Sequence, residues 1–199
     1  MMVANQPARA EITDFGQIKK LVAPPGWLAA EQRQQGIGSS VLKLFHPPDA
    51  DDVTLNVFYR GNPVAPEPAA YLSNLLKSCS GTAQKLTPES IQALAPVFGI
   101  STAGDNQYTN TAAKGSRNYP VFNLKSAEIA RLKERPVVRL SGNFQDENGN
   151  VTMEYRGIFI QSDMNSGDIE EVFYQAPNSA RFLKYSAAAD QALLSIEWR

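Results

Sequence analysis

At 199 residues, with 43% apolar and 20% charged side chains, the chain has the size and make-up of one soluble globular domain with its own core. Its formal net charge of −1 excludes a global field that would draw it to nucleic acid or to anionic lipid. A single cysteine, Cys79, excludes an internal disulfide framework, and no apolar run approaches membrane-spanning length.

The opening stretch, MMVANQPARAEITDF, lacks the basic and apolar segments of a signal peptide. The expectation is therefore a cytoplasmic protein, with non-classical export as an effector the alternative. Residues 1–10 are expected to be a flexible N-terminus, followed by one domain over 11–199. Gln17–Val22 carries too few periodic apolar positions to be read as a helix. Ala23-Pro24-Pro25-Gly26 is a firm turn, because proline fixes φ and glycine permits φ > 0. Beyond it, Trp27–Gln34 and Val41–His46 read as a hairpin across Gly36–Ser40. After the polar turn Pro47–Asp52, Val53–Arg60 alternates as a strand, with Val53, Leu55, Val57 and Tyr59 on one side.

Two helices follow. Glu67–Ser78 puts Leu72, Leu75, Leu76 and Cys79 on one side. Thr87-Pro88-Glu89 is a helix start: a capping hydroxyl, proline at the first position, and an acid favoured by the dipole. Pro96 removes a backbone donor, so that helix is expected to stop near Ala95. Gly99–Asn118, rich in Ser, Thr, Asn and Gly, reads as a long polar loop. Tyr119–Leu124 is extended, and Ser126–Glu134 fits either a helical turn or two or a continuing strand.

Arg135–Pro177 then reads as three strands joined by two tight turns. Asp146–Asn150 contains Asn-Gly, a strong hairpin signal. Asn178–Leu194 is a closing helix, with Phe182, Tyr185, Ala189, Ala192 and Leu193 at helical spacing, and Trp198 is placed to pin the terminus to the core. Strands, helices, strands and helix, linked by connections too short for parallel crossovers, argue an α+β fold: a mainly antiparallel sheet covered by helices, an α/β/α-type sandwich.

This layout resembles the PsbP-like fold, the family of a photosystem II extrinsic subunit and of a Ran-binding nuclear import factor. Three features carry the resemblance: Pro24-Pro25-Gly26-Trp27 leading to Phe45-His46-Pro47-Pro48; the meander of Arg135–Pro177; and the helix closing on Leu194-Ser195-Ile196-Glu197-Trp198. Together they cover most of the chain. The resemblance implies a domain that binds larger partners and carries no shared catalytic residues.

The chemistry-bearing residues have structural readings. His46, the only histidine, sits at a strand end before two prolines, and no nucleophile elbow accompanies it. Cys79 lies at a helix end among apolar neighbours. Gly36-Ile37-Gly38-Ser39-Ser40 resembles a phosphate loop but precedes a strand and lacks the lysine. Asp146–Asn150 and Asp163–Asp168 space oxygen ligands as calcium favours, yet lack the glycine and glutamate that close such a loop. Glu154, Glu170 and Glu171, with Arg139 and Arg156, read as cross-strand ion pairs on a partly solvated face. No catalytic residue, metal site or cofactor is assigned. Binding candidates are Tyr108, Lys114, Arg117 and Tyr119 on the polar loop, and Arg60 after Phe58-Tyr59. The expected function is a non-enzymatic binding or adaptor domain for a protein partner. The alternative is a small-molecule or carbohydrate site, possibly enzymatic, in a pocket beside residues 99–118, lined by Tyr108, Tyr119 and the sheet.

Overall fold

The computed structural model describes residues 9–33, 41–59, 66–104, 107–110, 121–161 and 169–199. In chain order these form β1 (Glu11–Phe15), β2 (Ile18–Val22), β3 (Leu28–Arg33), β4 (Val41–His46), β5 (Thr54–Tyr59), α1 (Pro66–Lys77), β6 (Gln84–Lys85) and α2 (Pro88–Phe98). They continue as β7 (Ile100–Gly104), β8 (Gln107–Asn110), β9 (Val121–Leu132), β10 (Arg135–Gln145), β11 (Val151–Gln161), β12 (Ile169–Ala176), α3 (Ser179–Leu194) and β13 (Glu197–Trp198).

The expected meander β10-β11-β12 forms the middle of a ten-stranded antiparallel sheet, ordered β3-β4-β5-β12-β11-β10-β9-β8-β7 with β6 beside β9. Asp146 closes the Asn-Gly hairpin: its Oδ1 accepts the N–H groups of Asn148 at 2.9 Å and Asn150 at 2.8 Å. That is a hairpin's own use of an aspartate. The β3–β4 hairpin also forms as read, with Leu28 opposite His46, and His46 Nδ1 lies 2.9 Å from the Pro47 carbonyl. Gly36–Ser40 and Asp163–Asp168 lie outside the described residues.

Helices cover one face of the large sheet. Leu72 and Leu76 of α1, with Ile91, Leu94, Val97 and Phe98 of α2, pack on Ile129, Val138, Leu140 and Phe159, and Cys79 is buried with them. On the opposite face α3 and a three-stranded sheet, ordered β1-β2-β13, bury Leu55, Val57, Val172 and Tyr174. The result is a layered α+β protein whose C-terminal helix contacts the sheet. No described helix is long and apolar enough to cross a membrane.

Three expectations are corrected. Helix α2 runs past Pro96 to Phe98, because the proline falls in the last turn. Buried Val97 and Phe98 hold that turn down, and Gly99, left-handed at φ 69°, caps it through its N–H to the Ala95 and Pro96 carbonyls. Residues 100–104 and 107–110, read as loop, pair as the hairpin β7–β8 on the sheet edge, with Thr102 opposite Tyr108. Gln17–Val22, assigned to no element, supplies β2, whose Ile18 and Leu21 are buried in the core. Ser126–Glu134, read two ways, is strand to Leu132 and then turns at Lys133.

The end of the chain is pinned as expected. Trp198 pairs with Ile18 in β2 and its ring lies under Arg135, whose guanidinium carbon is 5.2 Å from the ring centre. Ser195 Oγ accepts the Val22 N–H at 3.0 Å, and Lys133 Nζ donates to the Ile196 carbonyl at 2.6 Å.

Candidate functional site

Side chains alternate along a strand, so the two faces of β10, β11 and β12 are built from interleaved residues. On the helix-covered face these are Leu140, Gly142 and Phe144; Met153, Tyr155, Gly157 and Phe159; and Glu171, Phe173 and Gln175. The two glycines make this face unusual. A Cβ on Gly157 would run into Tyr155 Oη, so the tyrosine ring lies across the empty position. A Cβ on Gly142 would stand 2.5 Å from the tip of the Phe122 ring, so that ring is laid down in the same way. Glycine inside a strand here supplies space for a neighbouring ring.

The rings so placed form a continuous wall. Phe122 lies 5.0 Å from Phe144 and 5.7 Å from Tyr155, the second contact edge-on, and Tyr155 stacks on Phe173 at 5.7 Å. Phe159 meets Phe98 at the end of α2 with 5.0 Å between centres. Such offset and edge-on pairs are the favoured arrangements of aromatic rings. Where α2 ends, the wall is left with a cavity of about 430 Å³ in front of it. Leu42 and Phe58 close one side, and Gly99 and Ile100 the other.

One carboxylate stands in this apolar setting. Glu171, 7% exposed, sits between Phe58 on β5 and Phe159 on β11. The Tyr155 hydroxyl, carried over Gly157, donates to Glu171 Oε1. A buried carboxylate costs several kcal/mol unless it is hydrogen-bonded, so the phenol helps to hold a charge or dipole in an aromatic cavity.

The neighbouring Glu170 points to the other face. It is fully buried under the β1–β2 turn, where its Oε2 accepts the Gln17 N–H at 2.7 Å. Burial pushes it up to about 7, against the pull of that N–H and of Arg135 and Arg199. The expected ion pairs on a partly solvated face are corrected accordingly. Glu154, Glu170 and Glu171 are all buried, and the observed register sets them opposite Ala176, Ile160 and Phe159. Glu154 instead accepts from Lys125 at 2.8 Å and Ser179 at 2.6 Å, while Arg139 reaches Glu128 and Arg156 reaches Asp190.

Of the binding residues expected from sequence, Lys114, Arg117, Tyr119 and Arg60 lie outside the described residues. Tyr108 is described in its backbone alone, which pairs in β8 with Phe122 of the pocket wall. Of the residues that line the cavity, Glu171 was singled out from the sequence, but for an ion pair, and the aromatic rings of the wall were not. The available signal was two glycines inside strand patterns, each two positions from an aromatic on the same face. Among the described residues no group of three or more His, Cys, Asp or Glu stands together as a metal site. No protein-family model matches the chain, and no curated protein matches it in sequence.

Proposed function

We propose that this protein is a binding domain whose ligand is a small, largely apolar organic molecule held against the aromatic wall. One observation carries the reading: six of the nine phenylalanines, with Tyr155, converge on a single cavity of about 430 Å³. Its size falls in the range of small-molecule sites, as does its apolar lining with few polar groups. The cavity opens beside Gly99 and Ile100, and its walls favour an apolar body over a sugar.

A neutral two-ring probe such as 2-methoxynaphthalene has about a dozen heavy atoms, and ligand efficiency then sets a Kd on the order of 10–100 µM. Titration followed through aromatic NMR signals should give saturable binding at that level. Met153→Trp and Leu42→Trp, each filling the cavity from a different side, should abolish it with the circular dichroism unchanged. Unsaturable binding, or binding indifferent to both fillings, overturns the reading.

A second reading, an adaptor for a protein partner, draws on α3 and on the PsbP-like layout. Leu183 and Leu194 are 72% and 60% exposed and lie eleven residues apart, close to three helical turns, hence on one side. Leu183→Asp with Leu194→Asp should then release a captured partner, and unchanged capture would remove α3 from the idea.

A further inference from the structure

On the sheet face away from the aromatic cavity, two groups of opposite charge type lie near each other without pairing. Oε1 of the fully buried Glu170 accepts no hydrogen bond, and the buried Nη1 of Arg135 donates none, among the described residues. Each group turns its other atom to the same residue of the β1–β2 turn. Glu170 Oε2 takes the Gln17 backbone N–H at 2.7 Å, and Arg135 Nη2 donates to Gln17 Oε1 at 2.8 Å. The guanidinium also lies over the Trp198 ring, its carbon 5.2 Å from the ring centre. A carboxylate and a guanidinium in a poorly hydrated place attract strongly and make short, often bidentate bonds. Two unmatched atoms in place of that pair are what a neutral acid leaves.

From this we infer that Glu170 and Arg135 form a proton-controlled switch: a protonated Glu170 leaves Arg135 to Gln17 and Trp198, and an ionised one draws the guanidinium to itself. What the switch acts on is the chain end. Trp198 carries β13 onto Ile18 of β2, and its indole N–H donates to the Leu132 carbonyl at 3.4 Å. When Arg135 leaves, the small sheet loses a hydrogen bond at Gln17 and a cation over Trp198 together. The other groups around Glu170 are placed differently. Arg199 is engaged with Asp14 at 3.0 Å, and its N–H donates to the Gln17 carbonyl at 3.0 Å. Lys43 of β4 sits over Phe15, 5.0 Å from the ring centre. Tyr59 of β5 and Ile160 of β11 stand opposite Glu170 in register. Of the cations here, Arg135 is the one with a buried donor left over. Burial pushes Glu170 up to about 7, against the pull of the Gln17 N–H and of Arg135 and Arg199, so the change falls at neutral pH.

Two signals separate the proton from the movement in a proton–nitrogen NMR titration of the full chain between pH 5 and pH 8. The Gln17 amide, bonded to Glu170, reports the proton. The Trp198 indole N–H, told from that of Trp27 by Trp198→Phe, reports Arg135. Both should shift with one midpoint of about 7. That midpoint should be unchanged in His46→Gln, which removes the only histidine. Glu170→Gln, close in shape to the neutral acid, should fold and flatten both signals. Arg135→Met keeps an apolar stem over the ring. There Gln17 should still titrate, at higher pH because the cation's pull is gone, while Trp198 stays flat. A wild-type Trp198 that is flat while Gln17 titrates would overturn the switch and leave Glu170 a buried acid. A Trp198 that still titrates in either variant would overturn it too, as would two flat signals in the wild type.

Discussion

Glu170 and Glu171 are chain neighbours with opposite fates, and the contrast separates the two faces of the large sheet. Glu170 is sealed beneath the β1–β2 turn, where a backbone N–H meets one oxygen and Arg135 approaches from β10. Gly16, left-handed at φ 53°, comes so close that a Cβ there would stand 2.5 Å from the carboxylate. Glu171 faces a cavity, bonded by a phenol that lines the same space. The alternation of a single strand thus puts one acid under a turn and the other beside a cavity. Burial alone does not distinguish them; what packs over each one does.

The largest effect that would break this comparison is a pH dependence on the sealed side. Glu170 stands at about 7 in the folded protein against an ordinary value of 4.5. The folded state therefore holds a proton that the unfolded chain gives up. That stabilisation is complete below about pH 4.5 and is lost as pH rises through 7. The shift corresponds to about 3 kcal/mol. Urea denaturation at pH 5 and pH 8 should show a loss of that order, and Glu170→Gln should flatten it. An unchanged slope in the variant would mean that Glu170 is not the group that titrates.

On the open side, Gly157→Ala should cost about 2 kcal/mol, as overpacking does, because the new methyl drives Tyr155 off its position. Since the crowded atoms are the far end of a flexible side chain, the protein should still fold. Its loss should appear as altered near-ultraviolet dichroism and weakened probe binding together. Retained binding would detach Tyr155 from the site. Tyr155→Phe is the mildest change: about 1 kcal/mol of stability from the lost hydrogen bond, measured by thermal or urea melts, with the ring wall intact. It should weaken binding of the neutral two-ring probe less than Gly157→Ala does, because the ring that lines the cavity stays in place. Weakening as large as that of Gly157→Ala would mean that the hydroxyl, and not the packing of the ring, holds the wall.

Much of the fold was legible where the signals are local. Thr87 accepts the Ser90 N–H at 3.2 Å, as a cap should, and Asn178 does the same for Arg181 at 3.0 Å. The β10–β11 turn was legible in the same way, because Gly149 takes up the left-handed φ of 80° directly after Asn148. The β9–β10 turn was not legible, because its left-handed residue is Lys133, at φ 56°, and lysine carries no turn signal. Strand β9 was ambiguous for a different reason. Ala127, Ile129, Ala130 and Leu132 are all buried, so a strand covered on both faces loses its alternation and imitates a helix. The pocket was less legible still. Phe58, Phe98, Phe122 and Phe173 come together only through the register of five strands and the point at which α2 stops. No window of sequence contains that information.

The small sheet has a consequence for how the molecule is assembled. Strand β2 pairs on one side with β1, and on the other with β13, where Lys20 meets Glu197. During synthesis β1 and β2 are made long before their third strand exists, while the meander that they cover can already pair locally. Closing so long a loop is slow relative to forming hairpins. The lid over Glu170 is therefore among the last parts to settle, and until it does β2 presents an open edge, the kind of surface on which chains join one another by mistake.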